Sequence, residues 1–467
     1  MTKEQLKLAA EWMAAHEEEY LEDLRKLVEI RSVADEEAPD SPFGEGCLKA
    51  LHTMLEIGEK YGYTPANYGD RVGSLERKGK GDKVIGVWGH LDVVPEGDDW
   101  VHEPYKLTRE GDVLFGRGVG DNKGPAVAGL YAMRILDMLG IELDATVRLY
   151  LGTDEEKGMA DVMWFRENYP CPDLSLIPDS SFPVCYAEKG ILEGKLIAPA
   201  ALSEKFLAIG GGLVNNMVPD KAFVELREDG VTLEKIRNIG DRFAVERRPG
   251  VIKITASGVA MHSASPYNGV NAIRLLSEML LKTGVAEGKD AEILDFINRV
   301  NDDCDGTTLG IVCEDEITGR LTCVGSVLGL VDGKPALTFN IRYPATLKGE
   351  PLVEKIRKAA EENHFTLALK RDSYPAYVPK DTPVVKALTD LYNELTGSEA
   401  KPYTMAGGTY ARKLPNAMAY GPSGMPEPEG LPEKGGAHQH DEGKYLPHLF
   451  KAAVIYAAAL EKASALI

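Results

Sequence analysis

No two of the six cysteines stand in a C-x-x-C pair: Cys47, Cys171, Cys185, Cys304, Cys313 and Cys323 are scattered along the chain. That spacing argues against a zinc ribbon or a disulfide framework, and the six read as reduced thiols of a cytoplasmic protein. Positive charge is scarce too. Against 73 Asp and Glu stand 53 Lys and Arg, a formal charge of -20, whereas nucleic-acid binders concentrate cations to displace counterions. No nucleic-acid partner is expected. No apolar run approaches the roughly 20 residues of a bilayer span. The start, "MTKEQLKLAAEWMAAHEEEYLEDLRKLVEI", is acidic and helix-periodic where a secretory signal is basic and then apolar. Neither a membrane partner nor a secretory leader is expected.

What is present describes a globular protein of more than one domain. The 467 residues exceed one ordinary core, and 44% are hydrophobic and 27% charged. After two N-terminal helical segments and a polar loop, residues 84 to 88 read as a buried strand. "GPAVAGLYAMRILDMLG" reads as a helix stopped by Gly140, "TVRLYLG" and "DLSLIPD" as further strands, and "YLPHLFKAAVIYAAALEKASAL" as a long helix. Alternating strands and helices predict an α/β fold with a doubly wound, mostly parallel sheet.

The middle of the chain differs. "KAFVELREDGVTLEKIRNIGDRFAVERRPGVIKITASG" reads strand, helix, strand, and "ALTFNIRYPATLKGEPLVEKIRKAAEENHFTLALKRDSYP" repeats that order. The expected organisation is a discontinuous first domain, residues 1–190 and 382–467, with an α+β domain at 191–381 inserted between its halves.

Three predicted strands of the first domain end in groups that resist burial. They are His90 and Asp92 in "GHLDVVP", the acidic "GTDEEKG", and Asp179 in "PDSSFP". Ligands of open α/β sheets bind at the carboxyl ends of the strands. Asp121 in "GRGVGDNKG" and the late "GGAHQHDEG", with His438, His440, Asp441 and Glu442, add to this set of oxygen and imidazole donors. Each has a plainer reading: a hydrogen-bonded His, a solvated acidic turn, Asp121 as a helix cap. "GRGVG" lacks the ending of a P-loop and the spacing of a dinucleotide fingerprint, which argues against a nucleotide-dependent oxidoreductase. Convergence on one sheet edge favours a site.

In order and spacing, these motifs resemble those of the co-catalytic zinc peptidases related to aminoacylase and carnosinase, and among them the bacterial dipeptidases. The resemblance runs over essentially the whole chain. It implies that His90, Asp121 and Asp179 hold one metal and Asp121, Glu156 and His438 the other, with His440 outside. Two Zn²⁺, for which Mn²⁺ or Co²⁺ could substitute, three carboxylates and a bridging hydroxide sum to zero charge, which permits burial. Asp92, two residues from His90 on an extended chain, is expected to accept the other ring N–H.

The resemblance also makes Glu155 the general base and His262, in "ASGVAMHSASPYNG", the imidazole that stabilises the tetrahedral intermediate. It implies that Asn216 in "NNMVP", Arg342 in "NIRYP" and the backbone of Gly407 and Gly408 hold the substrate's carboxylate. The expected protein is a monomeric cytoplasmic metallodipeptidase acting on small peptides with a free C-terminal carboxylate. The rivals are a deacylase of N-acyl amino acids, and a non-catalytic metal-stabilised binding protein in which Glu155 would have no task.

Overall fold

The strand Val84–His90 is buried along nearly its whole length, with Thr146–Gly152 and Leu174–Ile177 parallel to it on either side. The computed structural model describes residues 1–35, 41–236 and 239–467. Its first sheet runs Thr64–Tyr68, Val72–Arg77, Thr146–Gly152, Val84–His90, Leu174–Ile177, Ala417–Ala419, Cys185–Glu188 and Ala376–Tyr377, with Tyr403–Met405 paired to Cys185–Glu188. The four central strands, from Thr146–Gly152 to Ala417–Ala419, are parallel. Such strands are covered on both faces and therefore read as continuous apolar runs. Register pairs His90 with Gly152 and Val87 with Leu176, so the carboxyl ends emerge along one edge.

Two helices that pack together cover this sheet, Lys123–Met138 and Leu446–Ser464. Both are rich in small residues and buried over most of their length, which lets them approach closely. Gly89 shows how closely: a Cβ there would lie 2.9 Å from the Cβ of Ala126 and 3.1 Å from Asn122 Oδ1. At Gly152 a Cβ would lie 1.8 Å from the Tyr410 hydroxyl. Only glycine fits where these strands reach the edge.

The strand expected at 84 to 88 thus continues through His90 itself. Gly140, at φ +63°, follows a helix that ends at Met138, as expected of a glycine stop. Ahead of the first central strand lie three helices, not two: Lys3–Ala15, Glu17–Val28 and Glu45–Lys60. They are followed by an antiparallel pair, Thr64–Tyr68 and Val72–Arg77. "TPANY" at the sheet edge is only partly buried and carries little apolar alternation to betray a strand. Of the expected polar loop, residues 36–40 lie outside the described residues.

The chain divides into two compact units. The first comprises Met1–Ala187, Ala376–Thr404 and Gly408–Ile467. The second comprises Glu188–Pro375 and Met405–Gly407. Its eight-stranded sheet is antiparallel throughout and runs Phe243–Arg248, Val251–Ser257, Lys221–Arg227, Phe206–Gly211, Thr322–Val331, Lys334–Tyr343, Gly190–Ile197 and Thr366–Ser373. Helices Ala272–Lys282, Lys289–Val300 and Glu350–Glu362 share its core.

The internal repeat takes physical form here. Lys221–Arg227 and Phe243–Arg248 flank Val251–Ser257, just as Lys334–Tyr343 and Thr366–Ser373 flank Gly190–Ile197. Each flanking pair is joined by a helix, Gly230–Lys235 in one case and Glu350–Glu362 in the other; residues 237–238 of the first copy lie outside the described residues. All six cysteines are free thiols, and among the described residues no helix is long and apolar enough to cross a membrane.

Candidate metal centre

At the sheet edge of the first unit, the carboxylate of Asp121 lies between two imidazoles. His90 Nε2 is 3.1 Å from Asp121 Oδ1 and His438 Nε2 is 3.1 Å from Asp121 Oδ2. His438 Nε2 is also 3.0 Å from Glu156 Oε1, and His90 Nε2 is 3.9 Å from Asp179 Oδ2. Donor atoms of His90, Asp121 and Glu156 lie within 4.8 Å of one another, as do those of His90, Glu155 and Asp179. The fold therefore brings together all five residues expected as metal ligands, and Glu155 with them. His440 is exposed and belongs to neither group of donors. Asp121 does not cap the helix that follows, whose N-cap position is Asn122.

Each group arrives by a simple route. His90 ends a central parallel strand, Glu155 and Glu156 follow the strand Thr146–Gly152, and Asp179 follows Leu174–Ile177. Asp121 precedes the buried helix Lys123–Met138, and His438, at φ +64°, lies in a loop closed by the Gly435–Glu442 bridge.

Asp92 departs from expectation. His90 Nδ1 faces the main-chain carbonyl of Asp92 at 3.0 Å, while the carboxylate lies 3.5 Å away. A carbonyl only accepts, so Nδ1 carries the hydrogen and Nε2 is directed at Asp121. The carboxylate instead accepts the backbone N–H groups of Glu155 at 3.1 Å and Glu156 at 3.0 Å. Two converging amides outcompete one ring N–H for an ionised acceptor.

A second carboxylate continues this pattern. Asp161, fully buried, accepts the amides of Thr153 at 2.7 Å and Asp154 at 3.1 Å and the hydroxyl of buried Tyr410. Four successive amides, 153 to 156, are thus held by Asp161 and Asp92. A third, Glu442, is 1% exposed and holds the loop that carries Asp121. Sequence reasoning grouped Asp441 and Glu442 with the possible donors, and the structure assigns both elsewhere. Asp441 accepts the amides of Val101 and His102. Arg117, Asp161 and Tyr410 were missed. A buried Arg inside a glycine-rich loop is a signal only once the loop's burial is known.

The electrostatics favour cations. Burial pushes the Glu155 carboxyl well above its usual range, and the charge of Asp179 adds to this. Burial raises Glu156 as well, against the opposing hydrogen bond from His438. Hydrogen bonds to Asp121 and then Glu156 raise His438 to about 11. Burial alone would raise Asp121, but His438 and His90 hold it below its ordinary value. Glu155 Oε1 is buried and has no hydrogen-bond partner among the described residues. Converging carboxylates, two imidazoles and an unsatisfied buried oxygen make a donor set that suits divalent metal ions.

In the second unit, Met217–Val218 pairs with Met261–His262, and the main-chain carbonyl of Asn216 accepts the amide of Ser263. Asn216 and His262 therefore sit side by side, both exposed. Ser263 Oγ donates to Asn340 Oδ1 at 2.9 Å, and Arg342 Nε donates to the same oxygen at 2.9 Å. Arg342 Nη1 reaches the carbonyl of Ala406 at 3.1 Å, next to Gly407. Partial burial lowers His262, and the positive charge of Arg342 lowers it further. Gly408 belongs to the first unit, where a Cβ would lie 1.7 Å from Arg412 Nη2.

Known proteins resemble this chain over nearly its whole length. A Bacillus subtilis (strain 168) protein named "Putative dipeptidase YtjP" is 33% identical over 457 residues, covering 95% of this chain and 96% of that one. Two solved structures share the fold. The M20 family metallo-carboxypeptidase Sso-CP2 of Sulfolobus solfataricus has a TM-score of 0.58 at 17% identity, covering 96% of this chain and 100% of its own. Human carnosine dipeptidase 1 has a TM-score of 0.56 at 14% identity, covering 99% of this chain and 100% of its own. Residues 86–462 match the family model described as peptidase family M20/M25/M40, and the chain belongs to that family.

Proposed function

We propose that this peptidase is a dipeptidase that works with two divalent metal ions, Zn²⁺ by preference, on peptides with a free C-terminal carboxylate. The observation that carries this reading is the Asp121 carboxylate with one oxygen 3.1 Å from His90 and the other 3.1 Å from His438. His90, Asp121 and Asp179 would hold one ion, and Asp121, Glu156 and His438 the other. Bound there, the ions would acidify the attacking water and polarise the scissile carbonyl.

The residues of the chain do the rest. Glu155, whose Oε1 is buried and unsatisfied among the described residues, takes the proton from the attacking water and returns it to the leaving amine. Through its main-chain carbonyl Asp92 fixes the tautomer of His90, and through its carboxylate it fixes the backbone of Glu155 and Glu156. His262, shifted toward its neutral form by partial burial and by the charge of Arg342, donates a hydrogen bond to the oxygen of the tetrahedral intermediate. Arg342, Asn216 and the Gly407–Gly408 backbone receive the substrate's carboxylate. In this reading the protein acts as a monomer, and its free cysteines suit a reducing cytoplasm.

The test is to strip the protein with a chelator, restore single metals, and offer dipeptides, their C-terminal amides and N-acetyl amino acids. Metal-dependent turnover of the free dipeptides above both other classes is expected. Preference for N-acetyl amino acids would make the chain a deacylase, and metal binding without turnover of any of them would leave it a binding protein.

A further inference from the structure

The segment that carries His438 also reaches the backbone of Asp121, four residues later, through Glu442. Its Oε1 accepts the amides of Gly120 at 2.9 Å and Asp121 at 3.1 Å, and its Oε2 accepts the amide of Gly118 at 3.0 Å. Arg117 Nη1 donates to Oε2 at 3.0 Å, and both side chains are 1% exposed. Arg117 Nη2 is bonded in turn to the carbonyls of Pro95 at 3.3 Å and Glu96 at 3.1 Å, beyond His90 and Asp92. The main chain of Glu442 is pinned as well, since its carbonyl accepts the amide of Gly116 and Gly443–Tyr445 pairs with Val113–Phe115.

Positive φ at Gly116 and Gly118, +150° and +93°, curls the loop so that its amides converge on one carboxylate, as in an anion-binding nest. The nest here is filled by a side chain from the far end of the sequence. The Asp121 amide is one of its walls, so the direction in which Asp121 leaves the backbone depends on the Glu442 carboxyl group being in place. Glu442 is in neither group of donor atoms.

We propose that Glu442, neutralised by Arg117, is a positioning residue that sets Asp121 between His90 and His438, and thereby sets the affinity of the centre for metal. This rests on the two-metal reading above. Because Asp121 would serve both ions, Glu442 acts on both. It couples the loop of His438 to the loop of Asp121, so the two halves of the second ion's ligand set move as one body.

The experiment measures Zn²⁺ affinity and stoichiometry by competition with a chromophoric chelator, on the full chain, beside urea unfolding of the metal-free protein. Glu442→Gln keeps the shape but turns an N–H donor toward the nest. It is expected to weaken both zinc sites by roughly 10- to 100-fold, the usual effect of losing a residue that orients a ligand. Arg117→Met/Glu442→Gln removes both buried charges. It is expected to recover stability relative to Glu442→Gln while zinc affinity stays low, a separation that a merely structural ion pair would not produce.

Wild-type affinity in Glu442→Gln overturns the proposal, as does recovery of affinity in step with stability in the double variant. If Glu442→Gln does not fold, Glu442→Asp makes the same comparison, since it keeps the charge but withdraws it by one methylene; unaltered zinc affinity there overturns the proposal. A wild-type chain that binds no zinc overturns both this inference and the two-metal reading, whereas wild-type binding with an unaffected variant overturns this inference alone.

Discussion

The amide of Glu155 donates to the carboxylate of Asp92 at 3.1 Å, so the turn beyond the strand Val84–His90 holds the backbone of the turn beyond Thr146–Gly152. Among the described residues the carboxylate of Glu155 meets no hydrogen-bond partner at Oε1, while its main chain is fixed. A fixed backbone with an unsatisfied acid at its tip is what proton transfer asks for. It also brings a carboxylate oxygen of Glu155 within 4.8 Å of donor atoms of His90 and Asp179, so Glu155 could serve as base or as ligand, and the two roles separate on substitution.

Glu155→Gln is expected to keep both metals and to lower kcat by at least about 100-fold, the contribution of a general base. Glu156→Ala is expected to lose one of the two metals. Elemental analysis beside steady-state rates decides the matter. Loss of a metal from Glu155→Gln, or retention of both in Glu156→Ala, would exchange the two roles.

Arg342→Ala is expected to lower kcat/KM for a free dipeptide by roughly 10- to 100-fold, the worth of one charge-assisted contact. Its effect on the corresponding C-terminal amide is expected to be small. Equal losses on both substrates would assign Arg342 to the support of Asn340 and Ala406, which it already bonds.

His262 is expected to act within its own chain. Mixing His262→Ala protein with Glu155→Ala protein, under conditions that allow subunits to exchange, then restores no activity, because each chain carries one broken site. Recovery in the mixture would place the histidine in a partner's site.

Asp161 carries a pH dependence of definite sign. Burial, reinforced by the charge of Asp92, pushes its carboxyl up to about 7, despite the hydrogen bond from Tyr410. In the unfolded chain it loses its proton near the ordinary aspartate value of 3.8. Between those values the folded state binds more protons, so stability is lost as pH rises from about 4 to 7 and is level above. By urea unfolding of the metal-free proteins, wild type should lose more stability over this range than Asp161→Asn, by an amount of the order of a few kcal/mol. Parallel pH profiles would refute it.

The sequence by itself determined the class of the fold, because apolar runs and helical periodicity record burial directly. "VIGVWG" is covered on both faces and cannot be an exposed strand. The same local signals placed polar groups after the strands, and parallel register then carries His90, Glu155, Glu156 and Asp179 to one edge. Only the tertiary structure decided which donor each carboxylate meets. Asp92 lies two residues from His90, yet its carboxylate is taken by amides 63 and 64 residues away, and Glu442 binds amides 321 to 324 residues away. The competition between a ring N–H and converging amides for one carboxylate is settled by distances that exist only after the strands have aligned. No periodicity in the chain records it.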